Sequence, residues 1–174
     1  MSDVLGTVQD LIASKGTKIY LCEDAPTMTG VDEDDLALFD ALTWIEIGMV
    51  ESIGEFGPEK NIGSFTPLGT GIACKFSGTT DNGELSLSIA KTVTDEGLLD
   101  LIALQGEPAE TAFKVELSET GTAGTGMLPH RYVFNGLVRS ARVTLGTGDD
   151  VVKVSVAIPV TGDIIEGTAV NGTP

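Results

Sequence analysis

Residues 44–90 read WIEIGMVESIGEFGPEKNIGSFTPLGTGIACKFSGTTDNGELSLSIA, and the way this stretch divides decides the fold. In its first seven residues Ile45, Ile47 and Met49 alternate with Trp44, Glu46, Gly48 and Val50. A period of two marks a strand with one face committed to a core. Residues 72–77 alternate again, with Ile72, Cys74 and Phe76 set against Ala73, Lys75 and Ser77. Asn82-Gly83 follows, a strong hairpin signal because a type I′ turn needs positive φ at both central positions. Residues 84–90 place Leu85, Leu87 and Ile89 on one face and Glu84, Ser86 and Ser88 on the other. The stretch 72–90 is therefore expected to form a hairpin with one apolar face, in which Cys74 is a small core residue.

Between the two strand patterns lie residues 51–70, ESIGEFGPEKNIGSFTPLGT. Connections in compact domains usually take about 4–6 residues, and one beyond about 15 is functional or disordered. This one carries Ile53, Phe56, Ile62 and Phe65, which is too apolar for a solvated linker. Its Gly and Pro content rules out a helix. It is expected to be a long arm whose apolar side chains hold something.

Downstream, residues 92–104 (TVTDEGLLDLIAL) predict an amphipathic helix. Thr92 or Thr94 is the expected cap, and Asp95 and Glu96 suit the positive end of the helix dipole. Leu98, Leu99, Leu101, Ile102 and Leu104 form an apolar stripe that must pack on a sheet, and Gly106 and Pro108 end it. Strands are expected over residues 112–117, 131–138, 141–145 and 151–160. In the last, Val152, Val154, Val156 and Ile158 share a face. The tail 163–174 reads as a flexible terminal arm.

Upstream, residues 1–43 read as an irregular acidic segment with a short helix over 3–13 and a strand over 18–22. Six acids fall between Glu23 and Asp35 with no base. A solvated acidic loop is the expectation there. A calcium loop is the sharper alternative, but Leu36 stands where its turn Gly should fall. The whole of residues 1–174 is expected to be one mainly β domain, a β-sandwich or barrel with one flanking helix and a long extended hairpin arm.

Charge narrows the function. The 174 residues hold 26 acids against 10 bases, a formal net charge of −16 and a pI near 4.1. Such a chain lacks the basic footprint of a nucleic-acid binder and repels anionic lipid. No apolar run approaches a membrane span, and MSDVLGTVQD has no secretory pattern, so a cytoplasmic origin is expected. Cys22 and Cys74 have no metal spacing and read as reduced thiols, one disulfide being the alternative. His130 is the single histidine, and Gly121–Gly126 (GTAGTG) lacks the GK[ST] ending of a phosphate loop. No catalytic, metal or cofactor constellation is present in the sequence.

The order of elements resembles the tail tube, or major tail, proteins of long-tailed, non-contractile bacteriophages. The resemblance spans residues 44–165. It is carried by WIEIGMVESIG, the long arm, IACKFSGTTDNGELSLSIA, TDEGLLDLIAL, AFKVEL and the closing YVFNGLVRSARVTLGTGDDVVKVSVAIPVTGDI. It implies a structural virion protein with no catalysis and no cofactor. Six copies would form a ring whose inner sheets join around a lumen, and rings would stack into a tube that passes DNA into the host. Partners would be the chain itself and the tape-measure, tail-terminator and tail-tip proteins, with assembly in the host cytoplasm and no membrane. By position, residues 51–70 would be the arm that reaches the neighbouring ring through Glu51, Ile53, Glu55, Phe56, Pro58, Glu59, Lys60, Ile62 and Phe65. Glu46, Glu84, Ser86, Ser88 and Glu116 lie on polar strand faces and face either an acidic lumen or ordinary solvent. The alternative is a virion decoration or host-surface binding β-module, with the arm on a host or capsid surface.

Overall fold

The computed structural model describes residues 13–118 and 130–168. Ten strands and two helices follow in the order β1 (Ala13–Cys22), α1 (Asp32–Asp40), β2 (Ile45–Ile47), β3 (Val50–Ile53), β4 (Glu59–Phe65), β5 (Cys74–Asp81), β6 (Glu84–Ala90), α2 (Glu96–Ala103), β7 (Thr111–Ser118), β8 (His130–Gly136), β9 (Ser140–Thr144) and β10 (Lys153–Thr168). Eight strands form one antiparallel sheet in the order β2-β1-β7-β8-β10-β6-β3, with β9 paired to β10, while β4 and β5 pair only with each other.

The sheet is curled into a half-barrel because β10 belongs to two arcs. Its first half pairs with β6 and β9, and its second half, from Val160 on, pairs with β8 across a bulge between Thr161 and Ile165. A bulge bends the strand and sharpens its twist. The chain also crosses between arcs at Gly48-Met49. Here β2 pairs with β1 in one arc and β3 with β6 in the other, and Met49 takes φ 53°. The single strand expected over residues 44–50 is thus two short strands around a corner.

Inside the curl, Ile19, Leu21, Phe113, Val115 and Phe134 from one arc meet Leu85, Leu87, Ile89, Val154, Val156 and Ile158 from the other. The alternation in β6 and β10 supplied those apolar faces. Helix α2 closes the mouth with Leu98 and Leu101, while Leu99 stays half exposed. Its N-cap is Asp95, whose carboxylate accepts from the Leu98 N–H, rather than either threonine. Gly97 lets the helix lie on β2: a Cβ there would stand 2.4 Å from the Glu46 carbonyl oxygen.

A second apolar cluster lies on the outer face of the first arc. Cys22, Ala112, Val133 and Ile165 are covered by Phe39 of α1, with Leu36 and Trp44 beside it. The expected acidic loop therefore holds only over residues 23–31, and from Asp32 the chain is a helix. Four of its five acids, Asp32 to Asp35, occupy the first turn, where the helix dipole favours negative charge. Asp35 is 1% exposed and is bonded by the Thr29 N–H at 2.6 Å, the Thr29 hydroxyl at 2.8 Å and the Gly30 N–H at 2.9 Å. Those donors, the Thr29 N–H first, hold its carboxyl below the ordinary range. A depressed carboxylate stabilises the fold fully above its unfolded pKa and loses that contribution as pH falls through its folded pKa. Asp35→Asn is expected to lower the denaturation midpoint at about pH 7, and the gap to the parent chain should shrink below about pH 4. Denaturant melts at the two pH values check this, and an equal gap at both would remove the carboxylate from the account.

The expected helix over residues 3–13 and the GTAGTG stretch lie outside the described residues, apart from Ala13 in β1. The tail differs from expectation over residues 163–168, which continue β10 against β8; residues 169–174 lie outside the described part. Among the described residues no helix is long and apolar enough to cross a membrane, and no three Asp, Glu, His or Cys side chains converge as metal ligands. Both cysteines are free thiols.

Candidate functional site

The hairpin arm is the pair β4–β5, joined by residues 66–73. Its return strand is residues 74–81, a stretch whose alternation pointed to a core hairpin with β6. The alternation is real, but β5 pairs only with β4 and every one of its residues is exposed. Cys74 is accordingly on the arm and not in the core. Asn82-Gly83 makes no hairpin between β5 and β6. It is the joint where the arm rejoins the sheet, with Gly83 at φ 75°. There the Asn82 side-chain amide donates to the Gly162 carbonyl in the β10 bulge, and the Val160 N–H donates to the Gly83 carbonyl at 3.0 Å.

Register sorts the arm's side chains. Phe65 pairs with Cys74 and Gly63 with Phe76, so these four share one face; Ser64 with Lys75 and Ile62 with Ser77 share the other. The Phe76 ring lies over Gly63, where a Cβ would stand 2.4 Å from the ring. Ile62, Phe65, Leu68, Ile72 and Phe76 are each more than half exposed. Isolated apolar residues on a surface need no explanation, but Phe65 and Phe76 on one face, with Leu68 and Ile72 in the connection beyond them and Ile62 on the opposite face, make the hairpin apolar in the way that marks an interaction surface.

The nine arm residues named from the sequence separate into three groups. Ile62 and Phe65, with Glu59 and Lys60, stand on the arm. Glu55 and Pro58 lie in its exposed root. Glu51, Ile53 and Phe56 belong to the body: Glu51 and Ile53 are in β3, and Ile53 and Phe56 pack against the core. The Phe56 ring meets Tyr132 edge-on at 5.6 Å and Phe134 at 5.8 Å. The sequence pointed to Phe56 by hydrophobicity alone, which does not distinguish an anchor inside the body from a grip outside it. Ile72 and Phe76 were missed as arm residues because residues 72–77 match a core strand so well, and Leu68 fell inside the expected arm without being named among its contacts.

The five polar-face residues also separate. Glu84, Ser86 and Ser88 share the outer face of the wall formed by β3, β6, β10 and β9. Glu46 and Glu116 lie on the other arc, where Glu46 bonds Lys18 at 3.1 Å. The wall face is not an acidic surface. Lys153 bonds Glu51 at 2.6 Å, Ser88 donates to Glu51 at 3.1 Å, and Arg139 pairs with Glu84 at 2.9 Å. Lysine first and serine second hold the Glu51 carboxyl below its ordinary value. Arg142 sits opposite Ser155 in the same face. A groove of about 510 Å³ lined by Ser52, Ser86, Ser88, Ser155 and Arg142 runs along it.

On the outer face of the other arc, Lys114 is held 4.2 Å from the Tyr20 ring centroid and 5.0 Å from that of Trp44. Burial lowers its pKa, against the opposing pull of Glu116. Arg131 beside it is buried and paired with Asp40 of α1. These charges bind α1 to the sheet. They do not converge on a pocket with a nucleophile, and none of the chemistry of an active site is assembled there.

Solved structures share the overall fold of this curled antiparallel sheet. The chain has the fold of a tail-tube protein. Over 92% of its length it is similar to the SPP1 tail tube, covering 81% of that chain at 10% identity with a TM-score of 0.58. It is similar to the sheath/tube terminator of an extracellular contractile injection system, PVC, at 14% identity and TM-score 0.62, with 93% of this chain and 100% of that one covered. The sheath-tube complex of the same PVC system gives 15% identity and TM-score 0.58, with 93% and 95% covered. No protein-family model matches the sequence, and no curated protein matches it either. At such low identity the tail-tube fold is what is shared. Its half-barrel agrees with the mainly β architecture expected from the strand patterns, with two helices in place of one.

Proposed function

We propose that this chain is the tube subunit of a long-tailed, non-contractile phage. It is a structural virion protein without catalysis that assembles in the host cytoplasm into stacked hexameric rings. The observation that carries the reading is the pair of open edges on one wall: among the described residues β3 pairs only with β6, and β9 only with β10. Exposed edges template further pairing and are a hazard unless they are covered. Joining β9 of one copy to β3 of the next satisfies both, and a head-to-tail contact of this kind closes into a ring when the rotation permits. The arm then serves contact between rings. The serine-lined wall face borders the lumen in this reading. It fails to bind DNA because its charges are largely paired with one another, and not because of the acid Glu84, which Arg139 neutralises. Tape-measure, terminator and tail-tip proteins are the proposed partners.

Electron microscopy and sedimentation of the purified chain are expected to show rings or tubes, seeded if necessary by a tail-tip initiator. A chain that stays monomeric at high concentration with the initiator present would end the tube reading and leave the decoration or surface-binding module.

A further inference from the structure

The four strands of the wall end together at one rim. The Ala90 N–H donates to the Met49 carbonyl at 2.9 Å and the Lys91 N–H to the Val152 carbonyl at 2.8 Å. Lys153 lies opposite both Ala90 and Thr144. Met49, Val93, Leu145 and Val151 are therefore gathered around this rim, exposed by 67%, 85%, 75% and 59%. None of them serves the core, and together they form an apolar crest across all four strands.

The arm leaves the wall at the other end. Its first root is pinned where the Gly54 N–H donates to the Ser86 carbonyl at 2.7 Å, and its second at Gly83 beside Val160. The seven residues of β6 separate the two ends by about 20 Å. The chain thus carries two uncovered apolar surfaces at opposite ends of one wall, an arrangement suited to contact between successive copies, head to tail.

Charge favours the same pairing. Residues 60–80 contain Lys60 and Lys75 and no acid, within a chain of net charge −16. The rim is weighted the other way. Asp149 and Asp150 stand between Leu145 and Val151, and Asp95 and Glu96 follow Val93. Of the nearby cations, Lys153 is already engaged by Glu51, which leaves Lys91. Glu59 and Asp81 face each other at the root of the arm, so only its outer part is basic, and that part gains both steering and register in approaching an acid-flanked apolar crest.

We propose that the arm of one copy seats on the Met49–Val93–Leu145–Val151 crest of a copy in the next ring. The proposal rests on the tube reading and adds to it the surface that receives the arm. It also gives the tube a direction, since the arm end and the crest end cannot exchange roles.

Cys74 supplies the probe, being exposed on the arm's apolar face while Cys22 is buried. Four full-length variants, Met49→Cys, Val93→Cys, Leu145→Cys and Val151→Cys, place a thiol along the crest at exposed positions. After assembly and mild oxidation, at least Leu145→Cys or Val93→Cys is expected to give a ladder beyond dimers on a non-reducing gel. Each copy has one arm and one crest, so the links propagate from ring to ring. Adding Cys74→Ser should abolish the ladder. Tubes that form normally with no ladder from any of the four positions would overturn the proposal and leave the tube reading standing. Failure of the parent chain to form rings or tubes overturns both.

Discussion

Replacing Phe65 and Phe76 together by Ser is expected to abolish stacked tubes while leaving the folded body at its original stability. Both side chains are on one face of the arm, 63% and 57% exposed, and β4 and β5 pair with no other strand. Changes on an exposed surface away from core, caps and charge networks usually stay within about 0.5 kcal/mol. At an interface the same aromatics are anchors, and truncating one hot-spot residue costs about 2 kcal/mol or more. The loss recurs at every arm of every ring junction, so tube growth should fail outright. Thermal melts of the monomer and electron microscopy of the assembly reaction read the two halves of this expectation. Tubes of ordinary length from the double variant would mean that the arm's aromatic face is not what holds rings together.

The second large effect lies inside the body. Phe134 is fully buried, stacks on Phe113 at 5.8 Å and supports Phe56 from below. Phe134→Ala removes that centre and leaves a cavity where both arcs meet, which is expected to cost about 3–5 kcal/mol. Domain stabilities are commonly about 5–15 kcal/mol, so the variant should lose a large share of the total. Phe56→Ala should also lower the melting temperature, whereas Phe65→Ala should not. The two residues are alike in type and only nine positions apart in the sequence, yet one is body and the other arm. Equal stability effects would contradict the division made by the two ring contacts of Phe56.

Much of the wall was legible before any coordinates. Leu85, Leu87 and Ile89, then Val154, Val156 and Ile158, alternate as one-sided strands must, and all six are buried. The helix stripe around Leu98 and Leu101 was equally plain. The acidic run 32–35 was less so, because four acids on a short segment read as solvated. Its fate as the first turn of a helix depends on Asp35 finding the Thr29 and Gly30 donors and Phe39 finding the outer face of the sheet. The first partners lie only five and six residues away, but the sheet face that Phe39 covers comes largely from β7, β8 and β10, far downstream in the chain. The strand 74–81 misled for the opposite reason. It alternates like a core strand, and nothing local says that no second layer will come to cover it.

The sequence by itself determined that this is an acidic, mainly β chain with one-sided strands, an amphipathic helix and a long segment too apolar to be idle. Those properties follow from side-chain period and composition, which are local. The tertiary structure alone decided where the arm begins and ends, because that depends on which strands find partners. Residues 50–53 pair with β6 and join the wall, while residues 74–81 pair only with β4 and leave it. It also decided that the polar face of β6 is charge-balanced, since Arg139 just before β9, Arg142 in β9 and Lys153 in β10 come to it from parts of the chain distant in sequence. Pairing and charge compensation are long-range, and no window of residues contains them.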